Sequence, residues 1–214
     1  LNILVENNLF ADKRVKKGKS PSDKLVRSAW IEWLFNHFLV IPLLMSLVLY
    51  PLFVHGGGSI HDPLPGVLEV VLHIAVCFFL NETIFYFSHR FLHTKTMFRL
   101  IHRKHHTFSI VRPICSEYAH PLENVMNLIA MYAGLVLMGS HFLTWAIWVG
   151  LRIYETNDGH SGYEHIDSAS RHAYHHVYPH RGCYGTALGI WDRLLGTDQN
   201  WREWKAKERT KKVG

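Results

Sequence analysis

The sequence predicts an all-α integral membrane protein. The expected architecture is a helical bundle of about four transmembrane or re-entrant helices, with a cytosolic helical cap that carries a histidine-rich dimetal site. Three observations predict it. Long apolar runs recur along the chain. Basic residues gather on the segments between alternate runs. Histidines repeat at helical spacing just outside the runs. With 48% apolar residues, 7 Trp, 9 Tyr and 12 Phe, the 214-residue chain has too much oily surface for a solvated coil. Its three cysteines, Cys77, Cys115 and Cys183, form no CxxC and no even framework, so neither a disulfide scaffold nor a thiolate zinc site is expected.

Residues 1–33 form an N-terminal segment with Lys13, Arg14, Lys16, Lys17 and Lys19. Its first residue is Leu1 rather than Met, as in a fragment or processed product, and it shows no signal-peptide pattern. Residues 34–54 contain no Asp, Glu, Lys or Arg. As a helix this run spans about 32 Å, against a hydrocarbon core of about 30 Å. A Gly/Pro-rich turn, HGGGSIHDPLPG, follows without Lys or Arg. Residues 67–88 are a second apolar run, interrupted by Glu69, Asn81 and Glu82, and complete a transmembrane hairpin over 34–88. The segment 89–121 carries Arg90, Lys95, Arg99, Arg103, Lys104 and Arg112. Residues 122–151 are apolar except for Glu123, and too long for one simple span. Gly139, Ser140 and His141 are expected to break them into a second hairpin over 122–154. Residues 155–214 form a second histidine-bearing segment and a tail. The positive-inside rule puts the N-terminus, the 89–121 segment and the C-terminus in the cytosol. Topology thereby accounts for the net charge of +6, and no nucleic-acid-binding motif argues otherwise.

Seventeen residues are His, and thirteen of them lie between His89 and His180. One catalytic base does not need twelve neighbours of its own kind. HRFLH places His89 and His93 four apart, while HRKHH places His102, His105 and His106 at i, i+3 and i+4. HAYHH repeats that spacing with His172, His175 and His176. On a helix these offsets bring side chains to one face, about 5–6 Å apart between Cβ atoms. Eight imidazoles exceed the four ligands of one tetrahedral zinc and suggest two metals. Neutral imidazole suits Zn, Cu, Fe and Ni, so ligand type does not choose among them. His160, in DGHSGYEH, is placed to fold back as a ninth ligand. His120, in EYAHPLE, is a weaker candidate, as suited to capping or to holding a ligand in place as to ligation itself. His37, His55, His61 and His73 lie at the wrong depth or side and read as structural.

The ordered set HRFLH, HRKHH, EYAHPLE, HSGY, HAYHH and WDRLLGTD resembles the fatty acid hydroxylase superfamily of membrane di-iron oxygenases. EYAHP and HSGY look most like sterol 4-methyl oxidase and cholesterol 25-hydroxylase, and the resemblance extends to sterol desaturases. It covers about residues 81–198. It implies an endoplasmic-reticulum membrane protein with two iron ions held by His89, His93, His102, His105, His106, His172, His175 and His176, with His160 the next ligand and His120 a lesser one. It further implies dioxygen as co-substrate, a lipid substrate with a sterol favoured, and electrons from NAD(P)H through cytochrome b5 or a similar carrier. Zinc is able to replace iron in a purified sample, since affinity favours it. The sequence departs from the pattern in three places. Only eleven residues separate His160 from His172, Gly182-Cys183-Tyr184-Gly185 lacks the usual Asn, and VYPHRG follows the third box.

Acid–base residues cannot attack an unactivated C–H bond, so the oxidising power must come from a cofactor. Carboxylates that orient the imidazoles are expected among Glu82, Glu117, Glu155, Asp158 and Glu164. Phe78, Phe79, Phe85, Phe87, Trp145 and Trp148 are candidates to line a path from the bilayer. Trp191, Trp201 and Trp204 read as interfacial anchors. The terminal Lys211-Lys212-Val213-Gly214 matches a dilysine retrieval pattern. Within the class, the rivals are a fatty-acid or other lipid hydroxylase and a sterol desaturase. From outside it come a metal transporter, whose histidines would line the midplane, and a non-catalytic metal-binding protein.

Overall fold

The computed structural model of the protein describes residues 14–15, 21–56, 58 and 61–213. Lys13, Lys16, Lys17, Lys19 and Gly214, which entered the topology and retrieval arguments, lie outside them. Among the described residues the secondary structure is helical, apart from one isolated bridge between Arg14 and Tyr163.

Helix α1 runs over Asp23–His55. Ser22 caps it by accepting from the Leu25 N–H, and Asp23 places a negative charge in the first turn, where the helix dipole favours it. Pro42 and Pro51 fall in the interior, where each removes an N–H and crowds the carbonyl four residues back. The helix answers with widened π turns at Asn36–Val40 and Met45–Leu49, directly before each proline-bearing stretch. Helix α2 spans Val67–Leu92. Both are long and apolar enough to cross a membrane, and only 11% and 17% of their apolar windows are buried. A soluble core helix would bury most of that surface. Here Phe38, Leu47, Leu68 and Val71 stand exposed instead, and exposed apolar surface of this extent marks a membrane or partner interface.

The third apolar run divides into α3, Pro121–Leu137, and α4, Phe142–Gly159. Gly139 takes φ +54° at the break, and the His141 imidazole caps α4 by accepting from the Leu143 N–H at 2.9 Å. Three further helices follow in the chain: α5, Asp167–Val177, α6, Ile190–Leu194, and α7, Gln199–Val213.

The core has two ends. Leu49, Phe53, Cys77, Tyr132, Leu135, Trp145 and Trp148 pack the first, between α1, α2, α3 and α4. There α2 and α3 touch closely, because a Cβ on Gly134 would sit 2.7 Å from the Cys77 Cα. Ala29, Phe108, Val111, Ile114, Cys115 and Ala173 pack the second, which Tyr174, Cys183 and Trp201 extend. Trp201 is therefore not an interfacial anchor. It is 4% exposed, and its indole donates to the Ser170 hydroxyl. Trp204 is half-buried against Tyr174, and Trp191 donates to Thr83 and packs on Phe87. These rings join the C-terminal elements to α2 and α5 instead.

Candidate metal centre

The last turn of α2 presents His89, His93 is its C-cap residue, and His160 caps the C-terminus of α4. His172, His175 and His176 come from α5. The HRKHH box does not lie on one regular helix. A π turn, Phe98–His102, carries His102, and a 3-10 turn, His105–Thr107, carries the other two. The nine imidazoles gather into two adjoining groups. His89, His93, His102, His106 and His175 form one, and His105, His160, His172 and His176 the other. Within each group the ligand atoms all lie within 4.8 Å of one another. Each HxxHH box divides between them. His102 and His106 enter the first group while His105 crosses to the second, and His172 and His176 enter the second while His175 crosses to the first. On α5 positions i and i+4 stack nearly in line, whereas i+3 leans to the other side of the same face.

The protonation pattern fits a cation in each group. His89 Nδ1 donates to the Tyr184 carbonyl at 2.8 Å, His175 Nδ1 to the Gly182 carbonyl at 2.8 Å, and His160 Nδ1 to the Thr156 carbonyl at 2.8 Å. A carbonyl oxygen only accepts, so each Nδ1 holds the single proton of a neutral ring and each Nε2 keeps a lone pair. Yet His89 Nε2 lies 3.0 Å from His102 Nε2, and His160 Nε2 lies 2.9 Å from His172 Nε2. His93 is enclosed with neither ring nitrogen partnered, and His175 Nε2 is likewise buried and unpartnered. A cation placed among these converging nitrogens would meet the Nε2 lone pairs of His89, His160 and His175. Cis ligands at about 2.1 Å from one metal stand about 3 Å apart, which matches. The donor set of neutral imidazoles suits Fe, Zn, Cu or Ni.

Burial, and then the neighbouring imidazoles, hold His93, His102, His105, His106, His172 and His176 well below the usual imidazole range. Burial also lowers His160, to about 4, against the opposing hydrogen bond to the Thr156 carbonyl. The same histidines titrate near 6.5 in an unfolded chain, so unfolding takes up protons between the two values. Their contribution to stability is complete above about pH 6.5 and is lost as pH falls toward the folded values. Each such imidazole contributes a slope of up to about 1.4 kcal/mol per pH unit. The thermal midpoint of metal-stripped protein in detergent is expected to fall steadily from pH 7 to pH 5. A flat midpoint would mean that the rings are not desolvated.

Among the carboxylates, Glu123 meets the cluster. Its Oε1 lies 2.9 Å from His102 Nδ1, and it is 3% exposed. Sequence reasoning passed over it, although a lone acid inside an apolar run is itself a signal. The expected carboxylates are engaged elsewhere. Glu82 accepts from Thr186, Leu188 and Ile190, while Glu155 pairs with Arg152 and Asp158 with His165. Glu117 is half-buried near Glu32 and His37, and Glu164 is half-buried on the loop before α5. His120 stands outside both groups. It caps α3, its Nδ1 accepting from the Leu122 N–H at 3.2 Å. Of the aromatic residues expected along a lipid path, only Phe85 is seen beside the cluster, its ring 5.1 Å from that of His89. Trp145 and Trp148 are locked in the membrane-side core by bonds to the Ser140 and Met131 carbonyls, with Phe78 against Trp148. Phe79 and Phe87 are about half exposed on the outer face of α2.

The family model for fatty acid hydroxylase matches residues 74–197, which include all nine clustered histidines. The chain belongs to the fatty acid hydroxylase family. Curated relatives agree. The hydroxylase-family chain is 34% identical over 218 residues to the very-long-chain aldehyde decarbonylase GL1-8 of Oryza sativa, covering 95% of the chain and 81% of the rice protein. It is 35% identical over 216 residues to methylsterol monooxygenase 2-2 of Arabidopsis thaliana, covering 95% and 80%. It is 34% identical over 207 residues to the human fatty acid hydroxylase domain-containing protein 2, covering 94% and 61%. No solved structure matches the chain. Family membership and the exposed apolar helices make this a membrane-associated, lipid-acting oxygenase with histidine clusters suited to metal.

Proposed function

We propose that the protein is a di-iron oxygenase that oxidises an unactivated C–H bond of a membrane lipid, with a sterol as the favoured substrate. The observation that carries this reading is the pair of converging imidazole groups, in which His89, His175 and His160 turn their Nδ1 protons to backbone carbonyls and their Nε2 lone pairs inward. His89, His93, His102, His106 and His175 would hold one iron, and His105, His160, His172 and His176 the other. Bound iron supplies the electron transfer to dioxygen that no side chain here can perform.

The chain's own residues do the rest. Burial keeps the rings neutral and therefore able to ligate. The carbonyls of Thr156, Gly182 and Tyr184 fix which nitrogen of His160, His175 and His89 faces inward, and Glu123 lies beside His102 Nδ1. The apolar faces of α1 and α2 leave the lipid free to approach from the bilayer. As a hydroxylase the enzyme would place one oxygen atom in the C–H bond and release the other as water. Two electrons would come from a carrier such as cytochrome b5 with its NAD(P)H-dependent reductase, and two protons from solvent. The basic residues of the 89–121 segment favour a cytosolic site.

The Arabidopsis relative is named for methylsterol oxidation, which supports the sterol reading. The rice relative, matched over as much of the chain, is named for very-long-chain aldehydes and supports a second reading on a straight-chain lipid. Sterols, fatty acids and aldehydes from cells with and without the protein separate them, with labelled dioxygen supplied to both cultures. Accumulation of 4-methylsterols in cells without the protein, and label in the sterol product of cells with it, are expected. An unchanged sterol profile with altered long-chain lipids would move the assignment to the second reading. Product without label would exclude hydroxylation.

A further inference from the structure

The segment 182–185 faces the cluster through two of its carbonyls, and the same peptide units face away from it through their N–H groups. A trans peptide points its C=O and N–H in opposite directions. The Gly182–Cys183 unit accepts from His175 Nδ1 and donates its Cys183 N–H to the Thr197 carbonyl at 3.1 Å. The Tyr184–Gly185 unit accepts from His89 Nδ1 at 2.8 Å and donates its Gly185 N–H to Asp192 Oδ2 at 2.7 Å. The other carboxylate oxygen of Asp192 accepts from the Tyr184 N–H at 2.9 Å and the Thr197 hydroxyl at 2.6 Å. Thr197 in turn accepts from the Tyr86 hydroxyl at 3.1 Å, which accepts from Arg90 at 3.2 Å.

We propose that Asp192 is a positioning residue for the metal centre, acting on His89 through the Tyr184–Gly185 peptide. The inference rests on the metal-site reading given under Proposed function. Asp192 is 1% exposed, and its charge is met by backbone N–H groups and a hydroxyl chain that ends on Arg90. A buried carboxylate at one end of a peptide polarises it, and the carbonyl at the other end becomes a stronger acceptor. The Nδ1–H of His89 is held more firmly, its tautomer is fixed, and Nε2 becomes a better donor to metal. The path is short, from carboxylate to one peptide unit to imidazole. Gly185 permits it, because a Cβ there would meet Asp192 Oδ2 at 2.7 Å.

Glu82 supplies the comparison. It is equally buried and captures the next stretch of the same segment through Thr186, Leu188 and Ile190. The carbonyls of Thr186 and Ala187 accept from Arg171, not from an imidazole. Glu82 thus anchors the segment without a peptide path to a cluster histidine.

The test is cobalt(II) titration of the full metal-stripped chain in detergent, read by affinity and by the visible bands of the bound ion. Asp192→Asn is expected to bind cobalt about 10- to 100-fold more weakly with shifted bands. Thr197→Val, which removes one donor to the carboxylate, should change both in the same direction by less. Glu82→Gln should lower the thermal midpoint while leaving affinity and bands at wild-type values. If Asp192→Asn does not fold, Thr197→Val decides. Wild-type affinity and bands in the foldable Asp192 and Thr197 variants would overturn the proposal, as would an equal loss in Glu82→Gln. A wild-type chain that binds no cobalt would overturn the metal-site reading, and with it the role of Asp192.

Discussion

His175→Ala is expected to abolish lipid oxidation, by at least about 100-fold, and to lower the metal content of the purified protein. His175 is fully buried, and its ring centroid lies within 4.6–4.8 Å of those of His89, His93 and His106. It is the one histidine of α5 assigned to the first group, so no neighbour on that helix can replace it. Removing the ring also leaves the Gly182 carbonyl without its donor, at a cost of about 1–3 kcal/mol for a buried polar group. His120→Ala is the control. Loss of that helix cap is expected to cost about 1 kcal/mol, with metal content and oxidation retained. Metal content is read by elemental analysis and oxidation by product mass spectrometry. Full activity in His175→Ala would refute the dimetal assignment.

Gly182→Ala is expected to be nearly as damaging, although residue 182 contributes no side chain to the cluster. Gly182 adopts φ +90°, which L side chains rarely tolerate, and a Cβ there would lie 1.8 Å from the Thr197 carbonyl oxygen. That oxygen belongs to the backbone and is itself held by the Cys183 N–H, so it cannot move aside alone. The segment must shift, which withdraws the carbonyls from His175 and His89 together. Destabilisation of about 3 kcal/mol or more follows from the strain and the lost bonds, with activity falling at least about 10-fold. A thermal melt and the same product assay check both. Cys183, at φ +65° beside it, shows that the turn already carries backbone strain. Cys183→Gly is expected to fold at least as well as wild type at that backbone position, apart from the packing lost against Tyr174 and Trp201.

Much of the site was legible because its signals are local. Spacings of three and four residues act within one or two helical turns, so the boxes could be read from the chain directly. Gly139, Ser140 and His141 marked a break that Met138–His141 supplies, by backbone chemistry that needs no distant partner. Other features had no local signal. His89 finds its acceptor 95 residues away at Tyr184, and His175 finds one on a turn whose sequence, Gly182-Cys183-Tyr184-Gly185, shows no donor or acceptor side chain for it. Glu82 looked suited to orienting an imidazole, seven residues before His89, yet its oxygens meet Thr186, Leu188 and Ile190, more than 100 positions on.

The sequence by itself determined the apolar helices, the three histidine boxes with His160, and the family to which they belong. Each depends on composition or on the order and spacing of residues along the chain, which tertiary contacts do not alter. Only the tertiary structure divided nine imidazoles into groups of five and four, chose Glu123 over the other carboxylates, left His120 as a helix cap and buried Trp201. Those outcomes depend on which atoms meet across α2, α3, α4 and α5. A ring nitrogen's role is set by the partner of its other nitrogen, and that partner comes from distant chain.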